Sequence, residues 1–294
     1  MRAVHWLIFS LALMVGTNAY AEPLQLSPFK DKLFQYPGIL ETGFKGDFVK
    51  VKYDKYIDIH KRDVILEREV KRKYVSEKPR WSKNAMRLKV DNYLMKYFAV
   101  GNIKKPARFI VVYVHGSGGS RFQGVNNWTF GGNFNRIQNL TIRNGGLYLS
   151  PDFSDYGNKG TNQIKQMILH HARTSPGAPV FVACGSKGGF ICWRLTRDRE
   201  ILSKMGGMLL FGSTWDDDFF KSAALKRRLP IYFGHGTWDT VLPWERQFAF
   251  FKRIKKTVSN YPTKFSLFDT GTHGTPIRMT DWRLILNWMF KVRG

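Results

Sequence analysis

Apolar runs separated by amphipathic segments dominate the chain after Ala107. The first run, residues 108–114, is almost continuously apolar, as expected for a parallel strand that is buried on both faces. Shorter runs of the same kind recur at residues 146–149, 180–183, 207–211, 231–233 and 264–268. Helix-like segments lie between them, at roughly 133–143, 161–173, 188–204, 216–228, 244–258 and 280–291. This alternation predicts an α/β fold with a mostly parallel, doubly wound sheet.

The region before Ala107 has a different pattern. Three segments alternate apolar and charged residues, which predicts antiparallel strands with one face in water: 48–53, 56–60 and 87–94. Residues 22–46 lack clear periodicity and are interpreted as an extended lead-in. We therefore expect a single domain over residues 47–294. Residues 211–230 have room for only about one helix, so this domain should lack a large cap.

The first 21 residues have the pattern of a cleavable signal peptide. Arg2 precedes a short apolar stretch at residues 6–15, and Ala19-Tyr20-Ala21 offers small residues at the cleavage positions. The apolar stretch is shorter than the ~20 residues that span a bilayer, although an uncleaved membrane anchor is the alternative. The pattern predicts a secreted protein, which would be periplasmic in a Gram-negative host, with cleavage near Ala21.

The chain is strongly basic, with a formal net charge of +25. Residues 45–90 contribute much of it, with fifteen Lys and Arg against seven Asp and Glu. Such a surface attracts anionic glycans, anionic lipid headgroups or nucleic acid. No nucleic-acid recognition motif accompanies the charge, so we expect no specific nucleic-acid partner. Two alternatives stay open for residues 45–90: a solvated face, or a dedicated surface for polyanions.

Cys184 and Cys192 are the two cysteines of the chain, so a dense disulfide framework is excluded. Cys184 falls at a predicted strand end and Cys192 on the following helix, so the two could lie near each other. The sequence leaves open whether they are bonded, and of the two alternatives we expect packed thiols. Cysteine and histidine do not cluster with zinc-ligand spacing, and we predict no metal site and no organic cofactor.

The segment Cys184-Gly185-Ser186-Lys187-Gly188-Gly189 directly follows one of the predicted buried strands and precedes a helical pattern. A small-x-Ser-x-Gly sequence between strand and helix is how a serine nucleophile is mounted on a sharp turn. Small flanking residues are needed because the turn is strained, and the turn exposes the serine Oγ above the sheet. Ser186 is therefore the candidate nucleophile. Cys184 is a poor alternative because it lies two residues inside the strand.

The segment His115-Gly116-Ser117-Gly118-Gly119 follows the most apolar strand. Its glycines allow a tight turn that presents backbone N–H groups to an anion. The N–H of Ser117 (or of Gly118) and that of Lys187 are the candidate oxyanion hole. The segment is not a phosphate-binding P-loop, because no Gly-Lys-Ser/Thr follows at the required spacing.

An acid and a base complete this constellation. Asp239 lies in the turn after the strand at 231–233, where a carboxylate can orient a histidine on the next loop. The rival acids at residues 216–218 precede a helical segment and are typical of helix capping. His273 is the one histidine that falls at the carboxyl end of the strand after the acid. His5 lies in the leader, His60 in the basic region and His115 in the oxyanion segment. His170 and His171 lie on a predicted helix, and His235 precedes the acid.

The order Ser186, Asp239, His273 and the motifs around them resemble the α/β-hydrolase superfamily. The resemblance covers roughly residues 48–294 and includes the His-Gly-x-x-Asp-x-x-Leu-Pro segment around Asp239. The loop from Pro151 to Gly157 is also similar to a loop of that family but departs from its usual pattern, which leaves its role open.

The resemblance implies a serine hydrolase that cleaves esters, thioesters or amides through an acyl-enzyme, with carboxylesterase activity as the broadest expectation. The net charge favours an anionic or envelope-associated acyl substrate, such as an acylated acidic glycan or a phospholipid. The alternative is a non-catalytic protein of the same fold that binds envelope polyanions through its basic surface.

Overall fold

A computed structural model of the chain describes residues 24–64 and 69–293. The predicted signal peptide lies outside the described residues. Strands β1 to β12 of this part of the chain are Ile39–Gly43, Phe48–Val51, Asp63–Val64, Glu69–Val70, Lys83–Val90, Tyr93–Val100, Ile110–Val114, Leu147–Pro151, Val180–Gly185, Met205–Phe211, Ile231–Gly236 and Thr263–Phe268. Helices α1 to α10 are Asp31–Phe34, Arg121–Gly124, Asn133–Arg143, Asn158–Thr174, Gly189–Leu195, Arg199–Leu202, Ala223–Lys226, Trp244–Thr257, Thr275–Met279 and Trp282–Val292. None of these helices has the length and apolar character needed to cross a membrane.

Ten of the strands form one mixed sheet in the order β1-β2-β12-β11-β10-β9-β7-β8-β6-β5. The run from β8 to β2 through β7, β9, β10, β11 and β12 is parallel, and antiparallel pairs occur at both ends. Because connections between parallel strands cross over the sheet, the carboxyl ends of these strands meet at one edge. We call this edge the catalytic edge, because the three candidate catalytic residues, Ser186, Asp239 and His273, all follow strands that end there.

Helices cover both faces of the sheet and create two apolar layers. One layer packs α4, α5 and α8 against the strands, and the other packs α3 and α10. Within β9, Val182 and Cys184 belong to the first layer, whereas Phe181 and Ala183 belong to the second. Both faces of the central strands are therefore buried, which explains why these strands are apolar without alternation.

The structure corrects the prediction that residues 56–60 form a strand. Tyr56–His60 is a π-helical turn. The Asp54 carboxylate accepts hydrogen bonds from the backbone N–H groups of Tyr56 and Ile57 at 2.7 and 3.1 Å. An aspartate that binds the next free N–H groups in this way starts a helical turn, and it overrides the strand-like alternation.

The prediction for residues 87–94 is also wrong in its extent. The chain reverses at Asp91, whose φ is 51°, so β5 and β6 form a hairpin. This hairpin lies at one end of the sheet, and the β1–β2 hairpin lies at the other. The lead-in is correspondingly less extended than expected, since residues 22–46 contain α1, β1 and a 3-10 turn.

The two cysteines form a disulfide, which corrects the expectation of packed thiols. Their Cα atoms are 6.3 Å apart, and both side chains are buried. Cys184 is the second-last residue of β9, on the face that α5 covers, and Cys192 is on the facing side of α5. Spacing along the chain could not show this pairing, because it depends on how α5 packs back onto β9.

Candidate active site

Ser186 occupies the turn between β9 and α5 with a left-handed backbone, φ 48°. A non-glycine residue rarely adopts this conformation, and such strain concentrates at functional sites. The neighbouring glycine is required for close packing, because a Cβ on Gly188 would lie 2.7 Å from the carbonyl oxygen of Val114. The small residues of the motif thus let the turn lie directly against the end of β7.

The His115–Gly119 loop packs onto the same turn. A Cβ on Gly116 would lie 2.8 Å from the Cβ of Ser186, so only glycine fits between loop and serine. Among the hydrogen bonds of the described residues, none uses the backbone N–H of Ser117 or of Gly118 as donor. These N–H groups therefore stay available to an anion beside Ser186, as does that of Lys187 at the start of its helical turn.

His115 supports this loop and does not take part in the acid–base pair. Its ring is stacked on Phe153 with 4.4 Å between centroids, and its Nδ1 lies 2.9 Å from the Gly116 carbonyl oxygen. Burial lowers the pKa of His115, although its contact with Gly116 opposes the shift. A neutral, stacked imidazole holds the loop in place without adding charge.

Asp239 and His273 are in direct contact at the catalytic edge. His273 Nδ1 donates to Asp239 Oδ2 at 2.8 Å, while Asp239 Oδ1 accepts from the backbone N–H groups of Val241 and Leu242 at 2.9 and 3.0 Å. The Asp239 side chain is fully buried and that of His273 is 29% exposed. The acid is thus fixed by its own turn, and the histidine keeps one open side.

Burial favours the neutral form of Asp239, but hydrogen bonds outweigh it. Donation from His235 and His273, followed by the Leu242 and Val241 amides, lowers the pKa of Asp239 well below its usual range. The carboxylate is therefore charged across the physiological pH range. It can hold His273 in the tautomer whose Nε2 has a free lone pair, and it can stabilise the imidazolium form.

The segment after β10 joins the serine to this pair. Ser213 Oγ donates to the Ser186 carbonyl oxygen at 2.7 Å. A Cβ on the preceding Gly212 would lie 3.2 Å from both Asp239 Oδ2 and His273 Nδ1. The described residues show no hydrogen bond between Ser186 Oγ and His273, a contact that often forms only with substrate bound.

No family model matches the chain, and no curated protein matches it by sequence. Solved structures do match. A thermostable esterase has 14% identity and a TM-score of 0.58, over 71% of this chain and 62% of that chain. A protein described as a putative α/β hydrolase from Agrobacterium tumefaciens has 14% identity and a TM-score of 0.56, over 69% of this chain and 93% of that chain.

The chain has the α/β-hydrolase fold. This confirms the fold predicted from the sequence. The chain spans less than two thirds of the thermostable esterase. A further match, described as an α/β serine hydrolase without a lid from Xanthomonas campestris, has 12% identity and a TM-score of 0.52. It covers 71% of this chain and 93% of that chain.

The connection after β10 is short. Residues 212–230 contain a 3-10 turn, Asp217–Lys221, and the four-residue helix α7. The rival acids lie here and form ion pairs with Arg197 and Arg253. Asp216 Oδ1 accepts from the Asp218 N–H at 3.1 Å and caps the turn, as predicted for these aspartates.

The loop from Pro151 to Gly157, whose role the sequence left open, supports the His115–Gly119 loop. Phe153 provides the surface on which His115 stacks. Asp155 Oδ1 accepts from the N–H groups of Gly157 and Gly160 at 2.7 and 3.0 Å, which fixes the start of α4. These two hydrogen bonds lower the pKa of Asp155, and the bond from Gly160 has the larger effect. Asp155 thus serves a structural turn.

Sequence reasoning missed three residues around the acid: Ser213, His235 and Gln247. His235 had a signal in the sequence, since it precedes Asp239 in the His-Gly-x-x-Asp segment. Ser213 and Gln247 carry no motif. They reach the site because β10 lies beside β11 and α8 packs over it.

Proposed function

We propose that this α/β-hydrolase is a serine hydrolase with Ser186 as nucleophile, His273 as base and Asp239 as the acid that orients it. The observation that carries the proposal is the buried Asp239–His273 hydrogen bond at the edge where Ser186 occupies a strained turn. The esterases and serine hydrolases among the similar structures support the reaction class.

In this mechanism His273 Nε2 takes the proton of Ser186 as Oγ attacks the carbonyl carbon of an ester. The N–H groups of Lys187 and of Ser117 or Gly118 stabilise the oxyanion, and each lowers the barrier by roughly 3 kcal/mol. The alcohol leaves with the proton held by His273 and an acyl-enzyme remains. A water molecule activated by His273 then attacks the acyl-enzyme and releases the carboxylic acid product. Thioesters and amides would react by the same steps.

The substrate that we propose is anionic, and the β5–β6 hairpin is the reason. Lys96 is level with the end of β8, since its carbonyl oxygen accepts from the Asp152 N–H at 2.8 Å. Arg87 is the register partner of Lys96. The two side chains are exposed, and no ion pair of the described residues includes either of them. The hairpin therefore presents unpaired cations at the catalytic edge.

The distance between hairpin and nucleophile favours an extended substrate. β6 and β5 lie three and four strands from β9. At ~4.8 Å between neighbouring strands, the cations are about 14–19 Å from Ser186 along the edge. An acyl group on an anionic envelope polymer or lipid could reach the serine while the anion contacts the hairpin. This substrate, and secretion or a periplasmic location through the leader, are parts of the proposal.

Labelling with a fluorophosphonate, followed by intact mass, tests the enzyme. We expect one adduct on the wild type, no adduct on Ser186→Ala, and slower labelling of Asp239→Asn. Ser203→Ala is a matched control, because it removes an exposed hydroxyl after α6 that, among the described residues, donates only to the Glu200 carbonyl oxygen. A folded wild type without any adduct would contradict the proposed hydrolase.

The hairpin also favours a second candidate, a non-catalytic protein that binds polyanions. It predicts salt-dependent binding to an acidic polysaccharide that Ser186→Ala leaves unchanged, together with an absence of ester hydrolysis. Hydrolysis of small esters that is lost in Ser186→Ala would exclude it.

A further inference from the structure

His235 is a buried histidine that the proposed mechanism does not use. It is the fifth residue of β11, and its side chain has no exposed surface. Nδ1 lies 2.7 Å from Gln247 Oε1, while Nε2 lies 2.9 Å from the Leu242 carbonyl oxygen and 3.0 Å from Asp239 Oδ2. Oxygen atoms thus face both ring nitrogens.

The orientation of the Gln247 amide is settled by its other contact. Gln247 Nε2 donates to the Ser213 carbonyl oxygen at 2.8 Å. Turning the amide over would place Oε1 against that carbonyl oxygen, which cannot donate. The atom facing His235 Nδ1 is therefore an acceptor.

Neither neutral tautomer of His235 suits these surroundings. Without a proton on Nδ1, its lone pair would face the lone pairs of Gln247 Oε1. Without a proton on Nε2, its lone pair would face two oxygens, one of them a charged carboxylate. Only the doubly protonated ring donates to every neighbour, and the Asp239 carboxylate compensates its charge.

We infer that His235 is held as an imidazolium and is a positioning residue that shares the Asp239 carboxylate with His273. Oδ2 of Asp239 accepts from both histidines, at 3.0 Å from His235 Nε2 and 2.8 Å from His273 Nδ1. The carboxylate is thereby fixed on both sides. The positive charge of His235 also opposes a second positive charge on the other side of the same carboxylate.

The groups around His235 are consistent with this arrangement. Asp239 is the one carboxylate within ion-pair distance among the described residues, and His273 is the next titratable group, across the carboxylate. Helix α8 contributes the neutral Gln247. The neighbouring strands contribute Leu267 of β12 and, after β10, the backbone of Gly212 and Ser213. No second cation in this set competes for the carboxylate.

Nitrogen NMR of the wild-type protein labelled with ¹⁵N in its histidine rings tests the protonation state directly. Side-chain correlations to the backbone assign His235, so no variant has to fold. We expect both ring nitrogens of His235 to carry protons over a range of about two pH units around neutrality, from about pH 6 to about pH 8. An unprotonated His235 nitrogen in this range would overturn the inference. This measurement does not depend on the proposed hydrolase being correct.

The pH dependence of kcat/KM tests the positioning role and rests on the proposed function. His235→Gln keeps a donor near Asp239 but removes the charge, so the acidic limb should move up by about one pH unit. His171→Gln is the matched control, because His171 is also buried and lies apart from the acid. A His235→Gln enzyme with reduced stability but an unmoved limb would show a merely structural role. An inactive wild type would instead contradict the hydrolase.

Discussion

The acid turn, residues 235–242, and the β5–β6 hairpin lie at the same edge of the sheet but treat charge in opposite ways. In the acid turn, the Asp239 carboxylate is buried and accepts from two histidines and two backbone amides. In the hairpin, Arg87 and Lys96 face each other across the register and are exposed. Charge is neutralised inside the protein in one region and left to solvent or a ligand in the other.

The difference shows how buried charges that stabilise a site can be distinguished from exposed charges that can bind a partner. A buried charge must have internal partners, because desolvation without them costs several kcal/mol. Exposed cations have no such requirement, and two of them opposite each other weaken the hairpin slightly. An anionic ligand would reverse that cost, whereas an added ligand cannot improve the acid turn.

The largest effect is expected for Asp239→Asn. The amide cannot stabilise the imidazolium of His273 and leaves His235 without its counter-charge. We expect kcat to fall roughly 10³–10⁴-fold and the free energy of unfolding to fall by about 3–5 kcal/mol. Ester hydrolysis and urea unfolding measure the two changes.

Asp269→Asn is the control for this variant. Asp269 pairs with Lys50 at 3.0 Å, and both side chains are about one third exposed. This surface pair should change the free energy of unfolding by less than about 1 kcal/mol. Equal losses in the two variants would break the distinction between buried and exposed charge.

A buried histidine without a carboxylate sharpens the comparison. The His171 Nε2 contacts the Tyr97 hydroxyl at 3.1 Å, and burial, helped by His170, lowers the pKa of His171 to about 4. At a pH below ~6.5, the ordinary pKa of histidine, the His171 ring binds a proton in the unfolded chain but stays neutral in the folded protein. This histidine should therefore remove about 3 kcal/mol of stability as the pH falls from 6.5 to 4.

Urea unfolding at several pH values measures this loss. His171→Gln should flatten the dependence on pH in that window, since the amide does not titrate. An unchanged slope in the variant would show that other groups cause the acid sensitivity.

The disulfide between Cys184 and Cys192 links β9 to α5 across the turn that contains Ser186, and it does so without any charge. The double variant Cys184→Ala, Cys192→Ala should lose roughly 2–3 kcal/mol of stability, as expected for a short closed loop. Its binding to polyanions should be unchanged. Thermal unfolding of the variant and of the wild type measures the loss, and two reactive thiols in the denatured, unreduced wild type would contradict the disulfide.

The smallest effect is expected in the hairpin. Lys96→Glu places a carboxylate opposite Arg87 and should raise the free energy of unfolding by about 0.2–1 kcal/mol. The same variant should elute from an acidic polysaccharide resin at lower salt. Lys256→Glu, an equal charge change on the exposed side of α8, is the control. Equal elution of both variants would show that the hairpin is only one part of a diffuse basic surface.

The sequence predicted the fold and placed Ser186, Asp239 and His273 at strand ends because these features are local. Each candidate lies within about six residues after an apolar run, and parallel strands bring their carboxyl ends together whatever their order. The catalytic roles of these residues stay predictions. The failed strand at residues 56–60 was also local, but the Asp54 carboxylate captured its backbone N–H groups.

Other features were decided only by the tertiary structure, because they depend on pairings between distant segments. The N-terminal hairpins lie at opposite ends of the sheet, since β2 joins β12 and β6 joins β8. Cys184 meets Cys192 because α5 returns over β9. The surroundings of His235 require Asp239, Leu242 and Gln247 to converge on one ring. The sequence alone could thus locate the candidate chemistry, whereas the hydrogen bonds that would tune it arise from packing between strands, loops and helices.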